Sequence, residues 1–262
     1  MTTLLTAPAD PAYWTYAAEV TSLVPRSGVL TAWANSYFVG RCSLDDAVTG
    51  IVVADHFQRV GRGADEEGWS VCLGRLRGSG ATAVRLLLPA PGDVADLPGP
   101  AAFNRSALEA RECAVVDTAS PTGLVPEVDV DGGVFWALTP VDRPRPLLGG
   151  TGEATRALAE AMAEGSEVLE RLDLAAGRDR TGQALREVDL ALSALVLPES
   201  LEPRAVALIS RGIRLAGMVS VALHSEGAAV TAAESAGRSA ALVPLARAAR
   251  RAVEAGFSAR QA

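Results

Sequence analysis

The chain contains no lysine, only two histidines and three cysteines, and aromatic residues make up 5% of its 262 positions. All 24 basic residues are therefore arginine, which we attribute to a GC-rich genome rather than to chemistry. The cysteines, Cys42, Cys72 and Cys113, are few and widely spaced, so they fit neither a disulfide framework nor a zinc site. We expect them to be reduced, buried thiols of a cytosolic protein.

Long apolar runs are also missing, because the most apolar stretch, residues 215–223, is about half the roughly 18 residues that a membrane helix needs. Residues 1–11 carry no basic side chain, so no signal peptide is expected. The net charge of −7 argues against binding to nucleic acid, whose backbone is anionic. These absences predict a cytoplasmic protein that binds neither nucleic acid nor a membrane.

What is present is enough hydrophobic sequence, 49% of the chain, for a sizeable core, and a length that suits two domains. The composition changes near residue 150: residues 1–150 carry a net charge of −6, and residues 151–262 carry −1. Alanine rises from 21 of 150 residues to 28 of 112 across the same point. The prediction is, in chain order, a flexible N-terminus over 1–12, an α+β domain over 13–142, a Pro/Gly linker over 143–150 and a helical domain over 151–262.

The N-terminal half combines helix and strand signals in an irregular order, which favours α+β over a doubly wound sheet. Ser43 precedes two acidic residues in a variant of the capping box, which predicts a helix start. Asp131-Gly132-Gly133 separates two strand patterns, 124–130 and 134–138, and predicts a hairpin. Further segments are predicted as strands at 29–39, 83–88 and 114–116, and as helices at 66–77 and 106–110.

The C-terminal half predicts four helices, at 151–175, 181–195, 204–224 and 228–256, the last bent or broken before Pro244. Small residues repeat at intervals of four on the third and fourth helices: Gly212, Ala216 and Ser220, then Ala229, Ala233, Gly237 and Ala241. Such stripes let two backbones approach closely. We expect the two helices to pair within one chain, and a homodimer seam is the alternative.

Chemistry-bearing residues do not cluster in the sequence, so no catalytic residue, metal ligand or cofactor is assigned. A glycine-rich segment ahead of the first C-terminal helix could hold an anion, although an interdomain joint explains it better. The candidate ligand-binding residues at a domain interface are Arg143, Arg145, Thr151, Gly152 and His56.

Arg247, Arg250 and Arg251 form a basic face on the last helix and are the candidate interaction surface. The simpler interpretation is that these arginines are solvated residues of the helix. The more specific interpretation is that they bind an acidic partner, and the acidic N-terminal half is the first candidate for that partner. The sequence thus favours a non-catalytic protein–protein interaction or assembly module, with a protein partner or a second copy in a homodimer. The alternative is a small-ligand- or anion-binding protein or enzyme with a pocket between the domains.

Overall fold

The computed structural model describes residues 24–53, 55, 57–144, 150–176, 178–224 and 232–261. The chain is an α+β protein, as predicted, with a helical second half. The first half contains α1 (Arg26–Phe38), α2 (Leu44–Val52), β1 (Gln58–Val60), α3 (Trp69–Gly78), β2 (Ala83–Leu87), α4 (Ala101–Ala110), β3 (Cys113–Asp117), β4 (Thr122–Val128) and β5 (Val134–Pro140). The second half contains α5 (Thr151–Ala176), α6 (Arg178–Ala194), α7 (Pro203–His224) and α8 (Ala232–Phe257).

None of the helices in the described ranges combines the length and the apolarity that crossing a membrane requires. The predicted flexible N-terminus, residues 1–12, lies outside the described residues, as does 145–149 within the predicted linker. The domain boundaries therefore stay predictions.

The five strands form one sheet in the order β1-β5-β4-β3-β2. Strands β2 to β5 are antiparallel neighbours, and β1 pairs in parallel with β5 over three residues. The edges of the sheet are therefore β1 and β2. Because β1 is short, it pairs with only the first part of β5.

Alternation along β3 shows how the two faces of the sheet are used. Ala114 and Val116 belong to a core shared with α1, α2 and α3 on one face. Cys113 and Val115 pack on the opposite face with Phe103 of α4. Both faces over β3 are therefore buried, and the two helical layers lie on opposite sides of the sheet.

Residues 29–39 were predicted as a strand, and this prediction is wrong because they lie in α1. The segment is rich in β-branched and aromatic residues, which favour strands when considered locally. Almost every residue of α1 is buried, so the helix shows no polar face that would reveal its period. Burial on all sides overrides the local propensity here.

Two local signals are confirmed. The Ser43 side chain accepts a hydrogen bond from the Asp46 backbone, and the Asp46 carboxylate accepts one from the Ser43 N–H, so the capping box begins α2. The β4–β5 hairpin closes with Gly132 at a φ of 78°, a conformation that glycine adopts readily.

The helical half is organised by the packing of α7 against α8. A side chain at Gly212 would collide with Val253 of α8, and one at Gly256 would collide with Ile209 of α7, so both glycines permit close approach. Gly212 and Ala216 of the first stripe therefore pack against α8 within the chain, whereas the second stripe, 229–241, lies outside the described side chains. Helix α8 continues through Pro244 without a break, so of the two predicted forms the break is wrong and the bend stays a prediction.

A hydrophobic cluster joins the two halves. It brings Ala32 of α1 and Leu86 of β2 together with Ile209 of α7 and Phe257 of α8. Gly28 takes part by its lack of a side chain, because a Cβ there would lie 2.8 Å from the Phe257 ring. The sheet and the helical half therefore share buried surface.

Candidate functional site

The three arginines predicted as an interaction surface contact acidic residues of the same chain. In the loop after β2, Asp93 lies 2.9 Å from Arg250, 3.4 Å from Arg251 and 3.5 Å from Arg247. Arg251 also pairs with Asp96. The contact joins the acidic half to α8, and binding of a separate protein by these arginines stays a prediction.

Burial alone would raise the pKa of Asp93, but the neighbouring arginines outweigh it. The hydrogen bond from Arg250 and the charges of Arg251 and Arg247 together hold the pKa of Asp93 below its ordinary value. The carboxylate is therefore ionised at neutral pH and holds the arginine cluster in place.

Beside this cluster, side chains from two helices cover the outer edge of β2. Asn35 of α1 pairs with Val84 as a strand would: its amide nitrogen donates to the Val84 carbonyl at 2.9 Å, and its oxygen accepts from the Val84 N–H at 2.6 Å. Ser258, directly after α8, accepts from the Leu86 N–H at 3.0 Å. Glu254, in α8, accepts from the Leu88 N–H at 2.6 Å.

Glu254 is only 6% exposed, and its Oε2 lies 3.3 Å from Arg251. Burial is the main reason that the pKa of Glu254 rises to about 7, although the Leu88 N–H and Arg251 favour the charged form. This carboxyl therefore titrates near neutrality at the contact between the two halves.

A second buried carboxyl has a similar structural role. Glu112, just before β3, accepts a hydrogen bond at 2.6 Å from the Ser27 N–H in the first turn of α1. The free amides of a helix start favour an anion there, yet burial raises the pKa of Glu112 above its ordinary value. The carboxyl joins the start of α1 to the sheet.

The buried side chain of Gln58 ties together the far side of the sheet. Its oxygen accepts from the indoles of Trp69 at 3.1 Å and Trp136 at 2.9 Å. Its amide donates to the Ile51 carbonyl and to Asp55, both at 2.9 Å. With four partners, the amide holds α2, α3 and the sheet in one arrangement.

The predicted anion-binding residues are not assembled in the described part of the chain. Arg143 is exposed and makes no ion pair with a described residue; Thr151 is half-buried and Gly152 exposed at the start of α5. His56 and Arg145 lie outside the described residues. The cavity beside Glu254, at the contact between the halves, has a volume of about 10 Å³, which is about the size of one water molecule. The interface-pocket alternative stays a prediction.

The surroundings of the three thiols disfavour the thiolate, which is the nucleophilic form. Burial raises the pKa of Cys72 to about 12 and that of Cys113 further, and Cys42, which is partly exposed, also has a raised pKa. Within the described ranges, no group of histidine, cysteine and acidic side chains has the arrangement of a metal site.

A larger opening of about 630 Å³ lies at the opposite edge of the sheet, where β1 ends. Its apolar lining includes Val60, Ala137 and Leu138. Its charged lining is Arg62, Asp65, Glu66, Glu67, Arg75 and Glu127. We call this opening the β5 groove.

Arginine and phenylalanine side chains stack beside the β5 groove. The rings of Phe57 and Phe135 meet edge to face, 5.8 Å apart. The guanidinium of Arg59 lies 4.9 Å from the centre of the Phe57 ring, and that of Arg62 lies 4.5 Å from the centre of the Phe135 ring. Phe57 is 42% exposed, so the stack reaches the surface.

These observations define an α+β protein whose sheet is joined edge-on to a helical half. Residues 27–148 match the family model described as Rv1486c-like protein, N-terminal domain, and residues 152–254 match Rv1486c-like protein, C-terminal domain. The two matches follow in order and together span most of the chain, which is similar to the Rv1486c-like proteins over both ranges. No curated protein and no solved structure matches the chain.

Sequence reasoning missed the buried polar residues that hold the sheet to its neighbouring helices: Asn35, Gln58, Glu112 and Glu254. Each is a polar residue in or beside an apolar segment, and an isolated charge such as Glu254 between Val253 and Ala255 is the available signal. The signal marks a residue that needs a buried partner, but it does not identify the partner.

Proposed function

We propose that this chain is a non-catalytic protein that works by contact with another protein or with a second copy of itself. The proposal rests on the contacts that the buried polar groups make. Glu112 and Glu254 accept backbone N–H groups, and Gln58 fixes two indoles, so each joins elements of the fold. A catalytic site would instead direct such groups toward an opening.

The surface beside the β5 groove supports the same proposal. Aromatic residues and arginine are enriched where proteins meet, because they combine a large contact area with directed polar contacts. Phe57, Phe135, Arg59 and Arg62 supply this combination, and Arg62 also lines the adjoining opening of about 630 Å³. Protein contact therefore has a candidate surface on the described part of the chain.

A cytoplasmic location belongs to the proposal and is supported by the cysteines. Cys42, Cys72 and Cys113 are all free thiols, and Cys72 and Cys113 are buried, which suits a reducing compartment. Fractionation of the native cell tests it: recovery of the chain with a cytosolic marker is expected, and recovery with secreted proteins would contradict it.

Chemical cross-linking in the native cell, followed by affinity isolation of the full chain, tests the proposed function. We expect one reproducible cross-linked species, either to another protein or to a second copy, and sedimentation over a range of concentrations separates the two. A chain that sediments as a monomer at every concentration and gives no specific cross-link would refute the proposal.

A further inference from the structure

Strand β5 continues beyond the end of β1. Val134 donates to the Phe57 carbonyl, and the Trp136 carbonyl accepts from Gly61, so the even-numbered residues of β5 direct their backbone groups toward β1. Strand β1 ends at Val60, and Leu138, the next even-numbered residue, lines the β5 groove. The N–H and carbonyl of Leu138 therefore face a position that a further strand segment could occupy.

We infer that an extended, basic segment of a partner protein adds to this edge of β5 within the β5 groove. The inference rests on the proposed function and names the surface and the chemistry of the partner. Backbone hydrogen bonds to Leu138 would hold the segment, and side chains in the groove would select it.

Charge supports a basic occupant. Arg62 pairs with Glu127 at 3.0 Å, Arg75 pairs with Glu67, and Arg59 reaches Glu66 from beside the groove at 3.3 Å. Asp65 also lines the groove and makes no ion pair with a described residue. The groove therefore has an excess negative charge, on a half of the chain that carries a net charge of −6.

The apolar part of the lining suits the stems of long basic side chains. Ala137, which is half-buried, lines the groove together with the acidic residues. An arginine or lysine side chain packs its methylene groups on such a surface and places its charge among the carboxylates. Nucleic acid and acidic segments are disfavoured by the same charge, and a second copy would bring its own acidic groove toward this one.

The wall of the groove is held in place before binding. Gly61 has a φ of 77°, and a Cβ there would lie 2.5 Å from the Asp65 carbonyl oxygen. Glu67 closes the loop by exchanging two backbone hydrogen bonds with Val60, at 2.8 and 3.0 Å. Binding therefore orders little of the protein itself, which favours affinity.

The test measures binding of two fluorescent peptides to the full chain by anisotropy. One alternates arginine with valine, and the other alternates glutamate with valine. The groove variant carries Asp65→Asn, Glu66→Gln and Glu127→Gln. The matched control variant neutralises three exposed acids elsewhere, Asp45→Asn, Glu109→Gln and Glu199→Gln. A further variant, Leu138→Pro, removes the outward N–H.

We expect the basic peptide to bind in a salt-dependent manner, and the groove variant to bind it at least about tenfold more weakly while the control variant stays within about twofold. Leu138→Pro should weaken binding without changing the charge; if it unfolds the chain, the groove variant still decides. Equal binding of both peptides, equal loss in the control, or no binding to the wild type would overturn the inference.

Cross-linking of the groove variant separates the two proposals. If the wild-type chain has a partner that the groove variant keeps, the β5 groove is not the site and the proposed function stands. If the wild type has no partner, the proposed function fails whatever the peptides do. If the wild-type chain forms a dimer and the groove substitutions dissociate it, the groove holds a second copy of the chain. This outcome would overturn the inference that a basic segment binds there.

Discussion

Protonation of Glu254 should control how firmly the helical half holds the sheet. The carboxyl is buried against β2, accepts from the Leu88 N–H and has a pKa of about 7. Its charged and titratable neighbours come from α8, the loop after β2, and β3: Arg250, Arg251, Asp96 and Cys113. We expect the chain to lose stability as the pH rises through neutrality.

The sign and size follow from the two pKa values. The ordinary value is 4.5 and the value in the folded chain is about 7, so between these values the folded chain keeps a proton that the unfolded chain has lost. Each pH unit of this difference is worth about 1.4 kcal/mol, so about 3 kcal/mol of stability present below pH 4.5 is lost by pH 8. Glu112, whose pKa is also raised, adds to the slope in the same direction.

Urea unfolding followed by tryptophan fluorescence, at several values from about pH 5 to pH 8, measures this slope. Glu254→Gln removes the ionisation and should flatten the pH dependence by about 2–3 kcal/mol between pH 5 and pH 8. Glu109→Gln, at an exposed position on α4, is the matched control and should keep the wild-type slope. An unchanged slope in Glu254→Gln would refute the assignment of this titration to Glu254.

Three other outcomes test the packing. Asn35→Leu should lower the free energy of unfolding by about 2–4 kcal/mol, because it leaves the backbone of the β2 edge unpaired. Gly28→Ala should lower the free energy of unfolding by about 1–3 kcal/mol, because the new methyl group collides with Phe257. Gly74→Ala, on the open surface of α3, should raise it by up to about 1 kcal/mol. The same urea assay compares the two variants, and equal effects would contradict the close approach of Gly28 to Phe257. Buried Cys72 should react with a thiol reagent only as the chain unfolds, and rapid native labelling would contradict its burial.

The parts of the fold that were predictable are those decided by neighbours in the sequence. The Ser43 capping box and the Gly132 turn each depend on a few consecutive residues, and both have the predicted form. Helices α5 and α6 were predictable because apolar and polar residues alternate along their sequences with a helical period. In α1 nearly every residue is buried, so no helical period of polar and apolar positions is visible, and the segment was mistaken for a strand.

The candidate sites were not predictable because their contacts join distant parts of the chain. Glu254 and Leu88 are 166 positions apart, and Asn35 and Val84 are 49 apart. The arginines of α8 could be expected to meet acids in the first half, but no local pattern selects Asp93 among the 17 acids there. The β5 groove depends on where β1 ends, and β1 was not predicted.

The covered edge of β2 has a consequence for how the protein can be produced and divided. The outward N–H groups at Leu86 and Leu88 are occupied only while Glu254 of the last helix and Ser258 just after it are present. A fragment ending near residue 150 would expose this edge together with its part of the shared hydrophobic cluster, and exposed edges of this kind recruit strands from other molecules. The two family models thus divide a chain whose first half, made alone, should aggregate.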